Sequence, residues 1–314
     1  MAINPRKAAI IGLGNVGASI AFALMQKDIY SELVLIDYNT DKSEGEAMDL
    51  SNGLPYTGAM HIHAGDYSDV GDAGIIIITA GTARKQGESR LDLINRNSAI
   101  LRSVIDPIKA SGFEGILLIV SNPMDILTHL AVEMSGYPEN RVIGSGTVLD
   151  TARLKDELSQ LLSVDARNVH TMIIGEHGDS EVPLWSITNI AGVPLAEFCR
   201  IRGYEGDQSE TLQEIYENVR DSGSKIISKK GATYYGIAMA VSRICTCISK
   251  NEHAVLTVSV PLHGEYGLEG VHLGLPTILG SSGIEKVLTI KLSDEEHEKL
   301  IASGEALKKV IEEL

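Results

Sequence analysis

Residues 8–26 read A-A-I-I-G-L-G-N-V-G-A-S-I-A-F-A-L-M-Q, and this segment carries the clearest indication of the fold. The apolar run 8–13 predicts a strand buried on both faces, and residues 15–26 predict a helix. Between them, Gly12, Gly14 and Gly17 form G-L-G-N-V-G. The first glycine allows a tight turn, the second lets backbone approach a pyrophosphate, and the third lets the helix pack on the strand. A glycine turn that binds nothing fits the same letters, so the surrounding sequence has to decide.

Asp37 supplies that context. It ends a second apolar run, 33–37, about 20 residues after Gly17, where an acid can bind both ribose hydroxyls of a dinucleotide. Its charge would repel a 2′-phosphate, so we expect NAD rather than NADP, with the phosphates at the helix N-terminus. The alternative is that Asp37 is only a turn residue at the end of a strand.

The first half of the chain alternates short apolar runs with longer amphipathic ones, which predicts a parallel sheet with helices on both sides. The further strands are predicted at 74–80 and 116–121, and the further helices at 42–50, 90–110 and 124–134. In the second half of the chain, the predicted helices and strands do not alternate regularly. Its helices are predicted at 149–162, after Gln208, after Gly231 and at 293–314, and its strands at 169–174, 255–260 and 270–279. We therefore expect an α/β chain: a doubly wound parallel sheet in residues 1–144, followed by a mixed α+β domain in residues 145–314, with the two lobes packed together.

Composition narrows the class of protein. The formal net charge of −15 argues against nucleic-acid or anionic-membrane partners. No apolar stretch is long enough for a membrane span, and the first apolar segment is too short for a signal peptide. Three cysteines in 314 residues suggest reduced thiols and a cytoplasmic location.

Several polar residues follow predicted strands, where open parallel sheets bind ligands. His177 lies between glycines in I-G-E-H-G-D-S, residues 174–180, which suits an exposed proton carrier, although a lone loop histidine is more often a solvated bystander. Asp150 and Arg153 share one face of a helix; an isolated pair of this kind would be a surface ion pair or a cap. Asn122 follows a strand directly. The cationic loop 79–90 contains Arg84, Lys85 and Arg90, and could close as a lid.

Taken together, these segments resemble the L-lactate/malate dehydrogenase family nearly from end to end. The matching motifs are G-L-G-N-V-G, L-V-L-I-D, T-A-G…K-x-G-E-S-R-L-D-L, S-N-P-M-D-I-L-T, V-I-G-S-G-T-V-L-D-T-A-R-L, I-I-G-E-H-G-D-S-E-V-P and K-G-A-T-Y-Y-G-I-A. The resemblance implies a Rossmann domain, a catalytic domain, a homo-oligomer (tetramer or dimer) and hydride transfer between NAD and the second carbon of a small anionic 2-oxo or 2-hydroxy acid.

The resemblance also implies roles for single residues. His177 resembles the proton donor and acceptor, Asp150 the carboxylate that orients it, and Arg90 the lid arginine that polarises the reacting C–O bond. The implied substrate-binding residues are Arg84, Arg90, Asn122, Arg153 and Thr233. The implied cofactor-binding residues are Gly12, Gly14, Asn15, Val16, Gly17, Asp37, Lys42, Tyr67, Gly81, Thr82, Ser103, Val120, Ser121, Asn122 and Ser145.

Three further residue pairs could in principle form binding sites. His170 and Lys155 resemble a phosphate site that bacterial relatives use for allosteric activation, but lysine stands where arginine is usual. His61 and His63 would share one face of a strand, yet no third ligand is evident, and Cys245 and Cys247 have no matching second pair. We therefore expect no metal ion.

The substrate is ambiguous. Arg84 stands where lactate-type relatives carry glutamine and malate-type relatives carry arginine, whereas Glu88 and Leu91 are lactate-like. The sequence predicts a malate dehydrogenase, which converts L-malate and NAD⁺ to oxaloacetate and NADH. The alternative is an L-lactate dehydrogenase, and the remote alternative is a non-catalytic NAD-binding protein.

Overall fold

The computed structural model describes residues 2–83, 87, 89–204 and 206–314, with Arg90 described by its backbone alone. The described helices are α1 (Asn15–Met25), α2 (Thr40–Gly53), α3 (Arg90–Ala110), α4 (Met124–Ser135), α5 (Val148–Leu162), α6 (Leu195–Ile201), α7 (Ser209–Lys230), α8 (Tyr235–Ser249) and α9 (Asp294–Glu312). The described strands are β1 (Asn4–Ile11), β2 (Glu32–Ile36), β3 (His61–Ala64), β4 (Ala73–Ile78), β5 (Ile116–Ile119), β6 (Val142–Gly144), β7 (Val169–His170), β8 (Ile173–Ile174), β9 (Val182–Pro183), β10 (Asn189–Ile190), β11 (Val193–Pro194), β12 (Ala254–His263), β13 (Glu269–Gly280) and β14 (Gly283–Val287).

The first six strands form the predicted doubly wound sheet. They pair in parallel in the order β6-β5-β4-β1-β2-β3, so the strand order reverses between β1 and β4. The predicted fold class is confirmed. The reversal opens a crevice outside the carboxyl ends of the strands, where such sheets bind ligands.

The aliphatic strands explain why helices cover both faces. Along β4, Ile75 and Ile77 enter one hydrophobic cluster with α1 and α8, while Ile76 and Ile78 enter another with α3 and α4. Successive strand side chains point to opposite faces, so a run of four isoleucines needs a layer on each side.

The sheet continues into the second half of the chain. Strand β12 pairs antiparallel with β6 through Ser259 and Gly144, and β13 and β14 follow it. Among the described residues this gives a nine-stranded mixed sheet. The two predicted lobes therefore share one sheet, and the boundary at residue 144 stays a proposal.

The prediction of one continuous strand at 169–174 is wrong. The segment divides into β7, which pairs with β10, and β8, which pairs with β9. Between them, the buried Thr171 hydroxyl bonds that of Thr188 at 2.6 Å, and Met172 accepts from the Leu184 amide. The chain thus passes from one small sheet to another where the apolar pattern reads as continuous.

None of the helices among the described residues has the length and apolar character needed to cross a bilayer.

Candidate active site

The glycine-rich turn joins β1 to α1 at the crevice. Gly12 has φ +94°, and its amide donates to Ile36 O at 2.8 Å. A Cβ on Gly12 would lie 2.6 Å from Ala80 N, and one on Gly17 would overlap the carbonyl oxygen of Gly12. A Cβ on Gly14, by contrast, would meet nothing within 4 Å. Two glycines thus permit close packing, and the third faces open space ahead of α1.

Asp37 ties this turn to the end of β2. Its Oδ2 accepts from the Leu13 amide at 2.6 Å and its Oδ1 from the Asn39 amide at 3.0 Å. The carboxylate is therefore fixed beside the glycine turn. Asp37 is thus a turn residue, and it is also placed where a cofactor-binding acid is expected.

This end of the sheet fits a dinucleotide. The open space at Gly14 lies at the start of α1, whose first amide groups have no partner within the helix and attract phosphate. The fixed carboxylate of Asp37 is then available to ribose hydroxyls.

The other predicted cofactor residues lie on several different elements. Val16, Val120, Asn122 and Ser145 line the central cavity described below. Tyr67 is half-buried, Lys42 is exposed on α2, and the Ser121 hydroxyl donates to Ala80 O at 2.7 Å. Ser103 is exposed on α3 and donates to Ile100 O, so it does not line that cavity.

Asn97, a residue that the sequence analysis missed, joins two of these segments. Its buried amide oxygen accepts from the Thr82 amide at 3.0 Å, and its amide nitrogen donates to Thr82 O and to Asn122 O at 3.1 and 2.7 Å. The residue after Gly81 and the predicted substrate-binding Asn122 are thereby held together.

A cavity of about 490 Å³ lies beside the crevice and contains the predicted catalytic pair. Of the predicted site residues, those lining it are Val16, Val120, Asn122, Ser145, Asp150, Arg153, His177 and Thr233.

His177 and Asp150 form the centre of this cavity. His177 Nδ1 lies 2.6 Å from Asp150 Oδ2. A carboxylate can only accept, so Nδ1 carries the proton and Nε2 is left for a ligand. The charge of Asp150 raises the pKa of His177 to about 9, against the opposing effect of burial. Burial alone would raise the pKa of Asp150, but the charge of His177 and its hydrogen bond lower it. The pair is therefore an ionised carboxylate beside an imidazole with enhanced proton affinity.

Arg153 completes a three-residue unit. It lies one helical turn after Asp150 on α5 and donates from Nη1 to Asp150 Oδ1 at 2.9 Å. Asp150, only 2% exposed, accepts from a different cation on each oxygen. One carboxylate thus fixes the positions of both an imidazole and a guanidinium.

Asp125, which was also not predicted from the sequence, binds the backbone of the His177 loop. Asp125 Oδ2 accepts from the His177 amide at 2.8 Å, and Oδ1 accepts from the Ser259 hydroxyl at 2.6 Å. Burial raises the pKa of Asp125 to about 6. Asp125 lies within the motif S-N-P-M-D-I-L-T, but its partner is 52 positions away, so no local pattern revealed the contact.

Glu181 is a second missed residue in the cavity. It is 4% exposed, and its Oε1 has no hydrogen-bond partner among the described residues. Burial, followed by the charge of Asp150, raises the pKa of Glu181 to about 8. At neutral pH the protonated acid adds little negative charge, so an anion can approach although the protein is acidic overall.

For two predicted site residues, Arg84 and Arg90, no side chain is among those described. Arg84 lies outside the described residues, as do Lys85 and Glu88, and the side chain of Arg90 is not described.

Comparison with known proteins identifies the family of this chain. Residues 6–144 match the family model "lactate/malate dehydrogenase, NAD binding domain", and residues 147–314 match "lactate/malate dehydrogenase, alpha/beta C-terminal domain". An L-lactate dehydrogenase of Acetivibrio thermocellus is 47% identical, over 98% of this chain and 97% of its own length. One of Clostridium perfringens is 49% identical, over 96% and 95%.

Solved structures give the same result. A lactate dehydrogenase from a Medee basin deep-sea metagenome library superimposes with a TM-score of 0.95 at 44% identity, covering 99% of both chains. The NAD predicted from Gly12–Gly17 and Asp37 is thereby supported as the cofactor. Because both family models match in order and nearly span the chain, this protein belongs to the lactate/malate dehydrogenase family.

Proposed function

We propose that this enzyme is an L-lactate dehydrogenase, which reduces pyruvate with NADH and catalyses the reverse reaction. The observation that carries the proposal is the unit in which Asp150 fixes both His177 and Arg153. The relatives at 46–49% identity are named L-lactate dehydrogenases, which favours lactate over the malate predicted from the sequence.

The unit of Asp150, His177 and Arg153 suits a substrate whose carboxylate is directly bonded to its carbonyl carbon. Arg153 has guanidinium donors beyond the Nη1 that binds Asp150, and a planar fork can hold a carboxylate with two hydrogen bonds. Because His177 is fixed by the same Asp150, a carbonyl oxygen on the adjacent carbon is within reach of its Nε2. A 2-oxo acid has this arrangement.

When NAD is bound, its nicotinamide accepts or supplies the hydride. His177 takes the alcohol proton on Nε2 during oxidation and returns it to the carbonyl oxygen during reduction. Asp150 favours the charged imidazole in both directions. By family resemblance, Arg90 stabilises the negative charge that develops on that oxygen.

Among the described residues, the charges that line the cavity suffice for a monocarboxylate. Among the described residues that line it, the cations are Arg153, Arg220 and His177. Arg220 already pairs with Asp221 at 3.0 Å, and His177 and Arg153 are assigned to the carbonyl and the first carboxylate. No cation in this described set remains for a second carboxylate.

Malate is the second candidate, because Arg84 stands where malate-type relatives carry arginine. A lid arginine in the pocket would pair with the far carboxylate of oxaloacetate, and pyruvate would leave it desolvated without a partner. An unpaired buried charge costs roughly 3–5 kcal/mol, enough for about 10²–10³-fold discrimination.

Steady-state kinetics on both substrates separate the two candidates. For a lactate dehydrogenase we expect a higher kcat/KM with pyruvate than with oxaloacetate, and little change in the pyruvate value for Arg84→Gln. If the unmodified enzyme prefers oxaloacetate, and Arg84→Gln reverses that preference, malate dehydrogenase replaces the proposal. Absence of NADH oxidation with any 2-oxo acid would leave the non-catalytic alternative.

The cofactor preference should depend on Asp37. We expect the unmodified enzyme to use NADH much better than NADPH, because the fixed carboxylate would repel a 2′-phosphate. Asp37→Ser should weaken NADH binding and relax the preference, as measured by kcat/KM for each cofactor. Equal use of both cofactors by the unmodified enzyme would be incompatible with this role.

We also propose a homo-oligomer in a reducing, cytoplasmic compartment. Large apolar side chains are exposed on the contacting helices α1 and α8, namely Phe22 (53%), Tyr235 (68%) and Met239 (53%). The three cysteines are buried and unpaired. Light scattering would distinguish a dimer or tetramer from a monomer.

Activation by a sugar bisphosphate is expected to be weak or missing. Lys155 lines a separate cavity of about 460 Å³ beside α8, and its burial lowers its pKa; His170 is exposed on β7. A lysine lacks the bidentate fork that binds phosphate well. Fructose 1,6-bisphosphate should leave the pyruvate KM nearly unchanged, and Lys155→Arg should increase any response. A large fall in KM for the unmodified enzyme would refute this expectation.

A further inference from the structure

A cluster of potential metal ligands lies where β2 and β3 begin, outside the catalytic cavity. The parallel register pairs Glu32 with His61, and His63 follows on the same face of edge strand β3. One ligand atom from each of the three residues lies within 4.8 Å of the others. The third ligand that the sequence did not reveal is therefore Glu32, brought in from the neighbouring strand.

The hydrogen bonds of His63 leave a place for a cation. Its Nδ1 lies 3.1 Å from Ala64 O, and its Nε2 lies 3.3 Å from Glu32 Oε1. A carbonyl oxygen only accepts, so Nδ1 carries the proton and a neutral ring presents a lone pair at Nε2. That lone pair faces a carboxylate oxygen, which also only accepts. The contact is favourable only when a proton or a metal cation lies between the two atoms.

Glu32 is oriented as metal-binding carboxylates usually are. Lys7, itself buried, lies 3.1 Å from Glu32 Oε1 and 2.8 Å from Asp72 Oδ1. The Lys7 charge offsets part of the attraction for a cation, yet the lysine also holds the carboxylate in one position. Supporting bonds of this kind are typical of metal ligands.

His61 leaves its metal-binding atoms free. It is exposed, and neither of its ring nitrogens has a hydrogen-bond partner among the described residues. Its ring stacks on that of His63 with the centroids 4.6 Å apart. Both imidazoles are therefore presented side by side to solvent.

We propose that Glu32, His61 and His63 bind one divalent transition-metal ion of the Zn²⁺ class, with water completing the coordination. Two imidazoles and a carboxylate suit zinc, cobalt or copper, whereas magnesium and calcium prefer oxygen ligands. The ion would tie edge strand β3 to β2. Glu32 begins β2, whereas Asp37 follows its last residue, so binding should leave the cofactor site unaffected.

Metal titration of the unmodified full-length chain tests this proposal. We expect isothermal titration with ZnCl₂ to give one site per chain, CoCl₂ to produce a visible d–d spectrum, and Zn²⁺ to raise Tm because the ion binds only the folded state. His61→Gln and His63→Gln should each weaken binding about tenfold or more. His263→Gln is the matched control, since it removes another exposed histidine–glutamate pair, with Glu139 at 2.7 Å, and should leave binding unchanged.

Several results would overturn the proposal. They are the absence of one-site binding to the unmodified chain, or binding that persists when His61 and His63 are both replaced. If a variant fails to fold, histidine-ring NMR of the unmodified chain decides: Zn²⁺ should perturb the rings of His61 and His63 together. Protonation of His63 without any response to metal would show that a proton alone occupies the contact.

Discussion

Replacing His177 with asparagine is expected to lower kcat for pyruvate reduction by about 10³-fold, within the range that general acid–base catalysis contributes. The asparagine amide can still donate a hydrogen bond to Asp150, but it cannot deliver a proton to the carbonyl oxygen. His177 is also the ring held by Asp150 at 2.6 Å with Nε2 left for substrate. The rate should be measured in a single turnover, so that slow product release does not hide the chemical step.

Binding measurements make this test specific. The Kd for NADH, measured by fluorescence, should change little in His177→Asn, because the dinucleotide is expected at Gly12–Gly17 and Asp37. His253→Asn is a suitable control, since His253 is an exposed histidine paired with Glu285 at 2.7 Å. Near-normal turnover of His177→Asn, with NADH still bound, would show that another group carries the proton.

Asp150→Asn is expected to lower kcat/KM by about 10²-fold or more, because it removes the charge that stabilises the imidazolium. The carboxylate accepts from His177 on one oxygen and from Arg153 on the other. In an amide an NH2 group replaces one of these two oxygens, so one of the two cations loses its acceptor. The pKa of His177 should fall, and reduction, which needs the protonated ring, should fail at lower pH than in the unmodified enzyme.

Asp179→Asn provides the matched control, since Asp179 lines the same cavity but is exposed. It makes the same change in charge without touching the His177–Arg153 unit. Thermal unfolding of both variants would verify that they remain folded. Normal rates for Asp150→Asn on both pyruvate and oxaloacetate would refute the role assigned to this carboxylate.

Local patterns predicted the parts of the site whose chemistry is local. The glycine turn is a short continuous segment and the Asp150–Arg153 spacing lies within one helix, and both occur where the sequence predicts them. The His177–Asp150 contact was implied only by family resemblance, because the two residues are 27 positions apart.

Contacts between distant elements were not predictable in this way. Asp125 supports the His177 loop from α4, and Glu32 joins His63 through the register of two parallel strands. Strand β3 itself is four residues long with one fully buried side chain, Ile62, so its apolar signal is weak. Such contacts depend on how strands align, which a single sequence does not specify.

The most direct test of the proton-transfer role of the His177–Asp150 pair is the pH dependence of kcat/KM for pyruvate at saturating NADH. Reduction requires protonated His177, and the neighbouring Asp150 raises the His177 pKa from 6.5 to about 9. We predict a plateau at low pH and a fall at a pKa above 6.5, with Asp150→Asn moving that fall to lower pH. A fall at or below pH 6.5 in the unmodified enzyme, or one that Asp150→Asn does not move, would contradict the proposed mechanism.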